Sequence, residues 1–233
     1  MPGPRCPILA VSCGSPPEPC ALIFTLPILL LVIHLVSMAL AAAAVGARVA
    51  EVRFFFGPGL VLRPAAPRIT VGVVPLGGFV RCHGQGEADP ESEGRFESLP
   101  AWRRAVVFLS GNVSLLALAC VLLGPGEALA SVARLPGQLL GLTDPRGAAQ
   151  DTLTSLLALG HGPLPLALGV LAAKLGAFNL LPLATLNGWA LVRMALPAAL
   201  AKKLEIPWSL LSILLTLALS ALGLFALVIR WAK

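Results

Sequence analysis

Three stretches of this chain run free of charged residues for about as long as a helix needs to cross a lipid bilayer, roughly 20 residues. They are residues 21–45, 105–123 and 208–229. With 57% hydrophobic and only 12% charged residues overall, the chain is too apolar for a soluble globular domain. It reads as a polytopic membrane protein. A fourth stretch, residues 163–182, carries only Lys174 and is punctuated by proline and glycine. That pattern predicts an interrupted helix, which a membrane tolerates only where protein or a cavity satisfies the freed backbone groups.

The net charge of +6 matters through its placement. Arg48, Arg53, Arg63, Arg68, Arg81, Arg95, Arg103 and Arg104 fall in the first connection, and Arg193, Lys202 and Lys203 in the third. Arg5, Arg134, Arg146, Arg230 and Lys233 fall on the opposite side. The positive-inside rule then places the first connection, about residues 46–104, in the cytoplasm and both termini outside. Because the arginines are interleaved with valine, phenylalanine and acids, they signal topology, and no nucleic-acid partner is expected. Residues 1–20 form a Pro- and Cys-rich head expected to be loose. The apolar run after it is too long for the core of a cleaved signal peptide. Residues 21–233 are then expected to make a single membrane domain. Cys6, Cys13, Cys20, Cys82 and Cys120 are an odd set without a secreted pattern, so no disulfide framework is predicted.

Between residues 48 and 82 the periodicity becomes strand-like. "RVAEVRFFFGPGLVLR" and "RITVGVVPLGGFVR" are β-branched and aromatic runs broken by Gly-Pro-Gly and Pro-Leu-Gly-Gly, which predicts β-hairpins lying against the membrane helices. Residues 83–98 are polar and acidic, a solvated loop. Residues 124–151 are expected to be a modest external loop with one amphipathic turn, too short for an inserted domain.

Four segments, in order and spacing, resemble a known family, the site-2 intramembrane metalloproteases of the M50 group. "IHLVSMALAAAAVGARVAEVRFFFGPGL" is similar to the family's first catalytic helix and following strand. "ITVGVVPLGGFVR" resembles its P-L-G-G-Y-V turn. "AWRRAVVFLSGNVSLLALA" resembles the helix carrying A-G-P-x-x-N, and "LGAFNLLPLATLNGWALVRM" the N-L-L-P-x-x-x-L-D-G segment. The resemblance implies a mainly α polytopic membrane protein with about four transmembrane helices and β-hairpins between the first and second. It also implies a zinc site: two histidines at i and i+4 on one helix face, a glutamate between them as general base, and a distant aspartate.

Transferred residue by residue, the first histidine is His34 and is present. The glutamate position is Leu35, the second histidine position Met38, and the aspartate position Asn187. In "SGNVSL", Gly111 is kept, Asn112 replaces the proline and Leu115 the asparagine. A catalytic zinc usually holds three protein ligands and a water. Here one proper ligand remains. The Met38 thioether suits Cu(I) better than zinc, and Asn187 offers no charge. Leu35 cannot take a proton, which forfeits a contribution of roughly 10²–10⁴ in rate. His83 beside Cys82, and His161, are ligand types elsewhere in the chain, expected at the surface. His34, an ionisable residue inside a span, is either a ligand or a neutral imidazole hydrogen-bonded to a backbone carbonyl or to Asn187.

What the resemblance implies beyond catalysis is a groove. In relatives a strand edge beside the active site receives an unwound substrate helix, and strand addition needs no catalytic residue. Pro75, Leu76, Gly77, Gly78, Asn179 and Pro182 stand at the matching positions. The expected function is therefore non-proteolytic: a pseudoprotease that binds or shields a membrane-protein partner, or a subunit of a membrane complex, with no cofactor. Two other readings stand beside it. One is a zinc-dependent intramembrane endopeptidase with a rearranged site. The other is a transporter or channel component, with which the broken third helix and Lys174 are compatible, although Lys174 is expected to snorkel or pair within the bundle.

Overall fold

The computed structural model of the chain describes residues 19–84, 96–184 and 186–232. Most of the N-terminal head, with Cys6 and Cys13, and most of the acidic loop expected at 83–98 lie outside the described residues.

Helix α1 (Pro19–Ala44) is followed by two strands, β1 (Val49–Arg63) and β2 (Arg68–Cys82), and a short 3-10 turn at Phe96–Ser98. Helices α2 (Ala101–Leu123), α3 (Pro125–Ala133), α4 (Leu135–Gly141), α5 (Ala148–Gly160), α6 (Leu164–Asn179), α7 (Asn187–Ala195) and α8 (Ala198–Trp231) complete the described chain. Three helices are long and apolar enough to cross a membrane: Thr25–Ala44 of α1, then α2 and α8. Their outer surfaces expose residues such as Leu40, Val121 and Leu214, as helices facing lipid do.

The fourth stretch is interrupted as expected, with a short helix before the break. Residues 163–182 form the 16-residue α6, which at 1.5 Å per residue falls short of the roughly 30 Å hydrocarbon layer. Its length is limited by the turn at Leu180 and Pro182. It exposes Leu164 and Leu166 near its start and buries a small-residue stripe, Ala167, Gly169, Ala172, Ala173 and Gly176. Small residues let helix backbones approach closely where apolar burial from water is no driving force. A core of Leu30, Leu115, Ala119, Ala128, Ala172 and Ala173 results, joining α1, α2, α3 and α6.

Two further expectations are corrected. The external loop at 124–151 is largely helical: α3 and α4 lie within it and α5 starts there. Pro125 and Pro136 sit in the first turns of α3 and α4, where a missing N–H costs nothing. Proline there starts helices. The helix that carries the last stretch is also longer than residues 208–229, because α8 continues through Pro207 back to Ala198. Its far end is tied to α5 by Gln150 Nε2 donating to Ala226 O (2.8 Å) and by Arg230 donating to Thr154 Oγ1 (2.9 Å).

The strands expected at 48–82 are present and pair antiparallel. Val52 faces Val80 on one side and Ile69 on the other, so the start of β1 lies between the two ends of β2. Positive φ at Phe55 (67°) and Gly57 (82°) bends β1 at its Phe-Gly-Pro segment. Glu51, buried in the sheet, is paired with Arg81 (3.3 Å) and accepts from Thr70 Oγ1 (3.3 Å). A second core of Ala42, Ala47, Cys82, Phe96 and Val107 seals the sheet to the ends of α1 and α2.

Burial also sets the chemistry of Cys82, whose thiol is pushed up to about 11 by loss of solvation. At pH 8 it stays protonated. The folded chain in detergent is expected to resist iodoacetamide at Cys82 by at least about 100-fold relative to the unfolded chain, read by peptide mass spectrometry. The unfolded thiol ionises first, so stability is expected to fall as pH rises from about 9 towards 11.

Candidate functional site

His34 sits midway along α1 with its side chain inward and 4% exposed. Met38, one turn later on the same face, is buried as well. Residues i and i+4 of a helix lie one above the other, so the two positions are stacked by the sequence spacing alone. Asn187 arrives from the other end of the chain. It is the first residue of α7, after the unwound stretch that follows α6. Gly188, next to it, packs so tightly on Leu180 and Leu181 that a Cβ would overlap their carbonyl oxygens. This closeness holds the start of α7 against the break in the chain.

The three positions converge. Asn187 Nδ2 lies 3.3 Å from His34 Nε2 and 3.5 Å from Met38 Sδ. An amide NH₂ has two hydrogens, and here both have acceptors, one imidazole nitrogen and one sulfur. Turning the amide over would set its oxygen against the thioether, two acceptors face to face, so the orientation is chosen by the pair of contacts rather than by either alone. With the amide in this orientation, Nε2, whose lone pair would bind a metal, accepts this hydrogen, which assigns the ring proton to Nδ1. The neighbouring nitrogen, Nδ1, is buried and has no hydrogen-bond partner among the described residues.

The ring of His34 lies against Gly111 of α2. A Cβ on Gly111 would stand 2.6 Å from ring Cε1 and 2.8 Å from the His34 carbonyl oxygen. Glycine is therefore required at this crossing. Asn112, beside it, is completely buried. Its Nδ2 donates to Phe108 O (3.1 Å), and its Oδ1 has no partner among the described residues. Leu115, at the position where the family's asparagine would stand, is completely buried in the apolar core.

Leu35 is 2% exposed and faces the sheet. A Cβ on Gly78 would stand 2.6 Å from Leu35 Cδ1, so the strand carrying Pro-Leu-Gly-Gly lies directly over the general-base position. Pro75, Leu76, Gly77 and Gly78 all lie on β2, and Gly77 packs under the Phe56 ring. Asn179 and Pro182 lie at the end of α6. The Asn179 amide donates to Leu175 O (3.0 Å) of its own helix, and the Pro182 carbonyl accepts from Trp208 Nε1 (2.6 Å). Both are thus engaged in shaping the break between α6 and α7.

The other ligand-type residues do not assemble. His83 uses its backbone N–H on Arg48 O and its carbonyl on Phe96 N–H. His161 follows the end of α5. Among the described residues no group of three or more His, Cys, Asp or Glu side chains could hold a metal ion. Lys174 pairs inside the bundle with Gln138.

This donor set does not fit zinc. It offers one imidazole whose free nitrogen is already hydrogen-bonded, one thioether and one neutral amide turned nitrogen-first. Zinc sites use thiolate, imidazole and carboxylate, and an anionic ligand contributes much of the hold on the ion. Leu35 leaves no proton acceptor at the position from which a metal-bound water would be deprotonated.

What sequence reasoning missed is the closure of the site. The signal for Gly111 was present, a glycine retained in an uncharged run. The double use of the Asn187 amide had no signal, because it depends on where α7 starts in space.

No curated protein matches the chain at a significant level. The sequence profile described as peptidase family M50 matches residues 21–222, most of its length. Its apolar helices, the sheet between the first two of them and the convergence of positions 34, 38 and 187 accord with that match: the chain is an integral membrane protein of peptidase family M50, the site-2 protease family.

Proposed function

We propose that this protein is a catalytically degenerate member of its family, a pseudoprotease that binds or shields a membrane-protein partner or serves as a subunit of a membrane complex. The observation that carries the reading is the hydrogen-bonded set of His34, Asn187 and Met38, with Leu35 buried beneath Gly78. A metal and an activated water are replaced there by an amide and a leucine. The scaffold around them is kept. The partner is recognised along β2, where Gly78 to Val80 has β1 on one side and, among the described residues, no strand on the other. An open strand edge pairs with extended backbone irrespective of its sequence. The Arg-rich first connection faces the cytoplasm, since positive charge is retained on that side.

Metal analysis and a cleavage assay test the reading together. The chain purified without chelator is expected to carry zinc far below equimolar amounts, and to leave a single-span substrate uncut with or without chelator. A photo-crosslinker at Phe79, exposed on β2, is expected to give a discrete adduct with a membrane protein. One at Val121, exposed on α2, is expected to give none. Equimolar zinc with chelator-sensitive cleavage would instead identify a working endopeptidase with a rearranged site.

A further inference from the structure

A cavity of about 810 Å³ opens between the first turn of α2, α7 and the first turns of α8. That is within the range of sites that hold small ligands, roughly 300–1,000 Å³. Its walls include Phe108, Trp189 and Met194, and its charged lining includes Arg104, Lys202 and Glu97. Arg193 and Glu205 also line it but are paired with each other at 2.9 Å. The remaining lining charge is therefore positive by one.

Arg104 is the residue that asks for a ligand. Its Nε is buried and has no hydrogen-bond partner among the described residues. A buried guanidinium N–H without an acceptor is costly, and a phosphate oxygen is the acceptor that its fork geometry matches best.

The depth of the cavity identifies the source of that phosphate. Arg104 directly precedes the uncharged stretch of α2, and Lys202 precedes that of α8. Trp102 is exposed at the same level, with Arg103 over its ring at 5.3 Å. Exposed tryptophan and arginine at the end of a span mark the headgroup layer. A cavity at this depth, lined by both apolar and cationic side chains, suits the phosphate of a lipid together with the root of its acyl chains. We propose that it binds the headgroup of an anionic phospholipid, with the phosphate against Arg104 and Lys202 and the chains leaving along Phe108 and Met194.

The test uses the full chain in detergent and native mass spectrometry. It is titrated with dioleoyl phosphatidylglycerol, dioleoyl phosphatidylcholine and glycerol 3-phosphate. The anionic lipid is expected to be retained at about tenfold lower concentration than the zwitterionic one, because both bring the phosphate but the choline group of the zwitterionic lipid adds a cation to a lining that is already positive. Arg104→Gln and Lys202→Gln are each expected to erase most of that preference, and Arg104→Lys to restore part of it. Arg230→Gln, at the opposite end of α8, is expected to keep it. Lys202 is exposed, so Lys202→Gln reads the site even where Arg104→Gln lowers the melting temperature. Equal retention of the two lipids, or a preference unchanged in Lys202→Gln and in folded Arg104→Gln, would overturn the proposal. Glycerol 3-phosphate bound as well as the lipid would overturn it too, by assigning the cavity to a soluble phosphate ester.

Discussion

Leu35→Glu, Met38→His and Asn187→Asp, made together, are expected to raise bound zinc from far below equimolar to about one ion per chain. The geometry for this is in place. His34 Nε2 and Met38 Sδ both lie within 3.5 Å of the Asn187 amide nitrogen, so imidazole and carboxylate at positions 38 and 187 would aim at a common point. The present structure lacks suitable groups at those points, because the amide supplies hydrogens where a metal needs lone pairs. Asn187→Asp alone removes the donor and leaves a half-buried carboxylate facing an imidazole, which favours a His34–Asp ion pair over metal capture. Met38→His alone supplies a second imidazole without the charge. Each single change is therefore expected to bind zinc weakly, and the combination far more tightly than the singles add up to, since ligands of one ion act as a unit. Elemental analysis of the purified variants after dialysis checks this. A triple variant that folds with an unchanged melting temperature and stays metal-free would mean that the three positions do not share a ligand sphere.

Gly111→Leu is expected to abolish folding of the membrane domain, and Gly111→Ala to destabilise it by about 3 kcal/mol, the upper part of the range for overpacking a tight core. The first atom added at this position meets the His34 ring at 2.6 Å and, more seriously, the His34 backbone oxygen at 2.8 Å. A side chain can turn away, whereas a helix carbonyl cannot without breaking its own hydrogen bond. The α1–α2 crossing must then widen, and the His34–Asn187 contact goes with it. Gly126 of α3 is the control, because nothing lies within 4 Å of a Cβ placed there. Gly126→Ala is expected to leave stability unchanged or raise it by up to ~1 kcal/mol through helix propensity. Thermal unfolding in detergent, followed by the loss of helical circular dichroism, measures both. A Gly111→Ala variant as stable as the native chain would show that α1 and α2 do not pack face to face at His34.

Much of this protein was legible along the chain. Hydropathy and length are local properties, so the three runs at 21–45, 105–123 and 208–229 announced membrane-crossing helices without any tertiary information. The β-branched runs on either side of Gly57-Pro58-Gly59 announced strands for the same reason. The four matching segments identified the family because they keep residue types at spacings that local structure imposes. They also showed which groups had changed, since Leu35, Met38 and Asn187 stand at positions that the motif numbers off.

Where local signals conflicted, packing decided. Pro125 and Pro136 sit in the first turns of α3 and α4, and Pro207 lies inside α8. The apolar run at 163–182 became a short inner helix, because its small residues meet α2 and α3 more closely than lipid could. The sequence offered a His34–Asn187 hydrogen bond as one reading of the site beside a ligand role, and only the packed chain decides between them. Asn187 lies 153 positions from His34 and 149 from Met38. Whether its amide offers an oxygen to a metal or its hydrogens to a ring and a sulfur depends on a few ångströms of helix placement. Local patterning dictates which residues belong to helices and strands. Only the packed chain determines which distant polar groups meet, because a buried donor takes whatever acceptor the fold brings within reach.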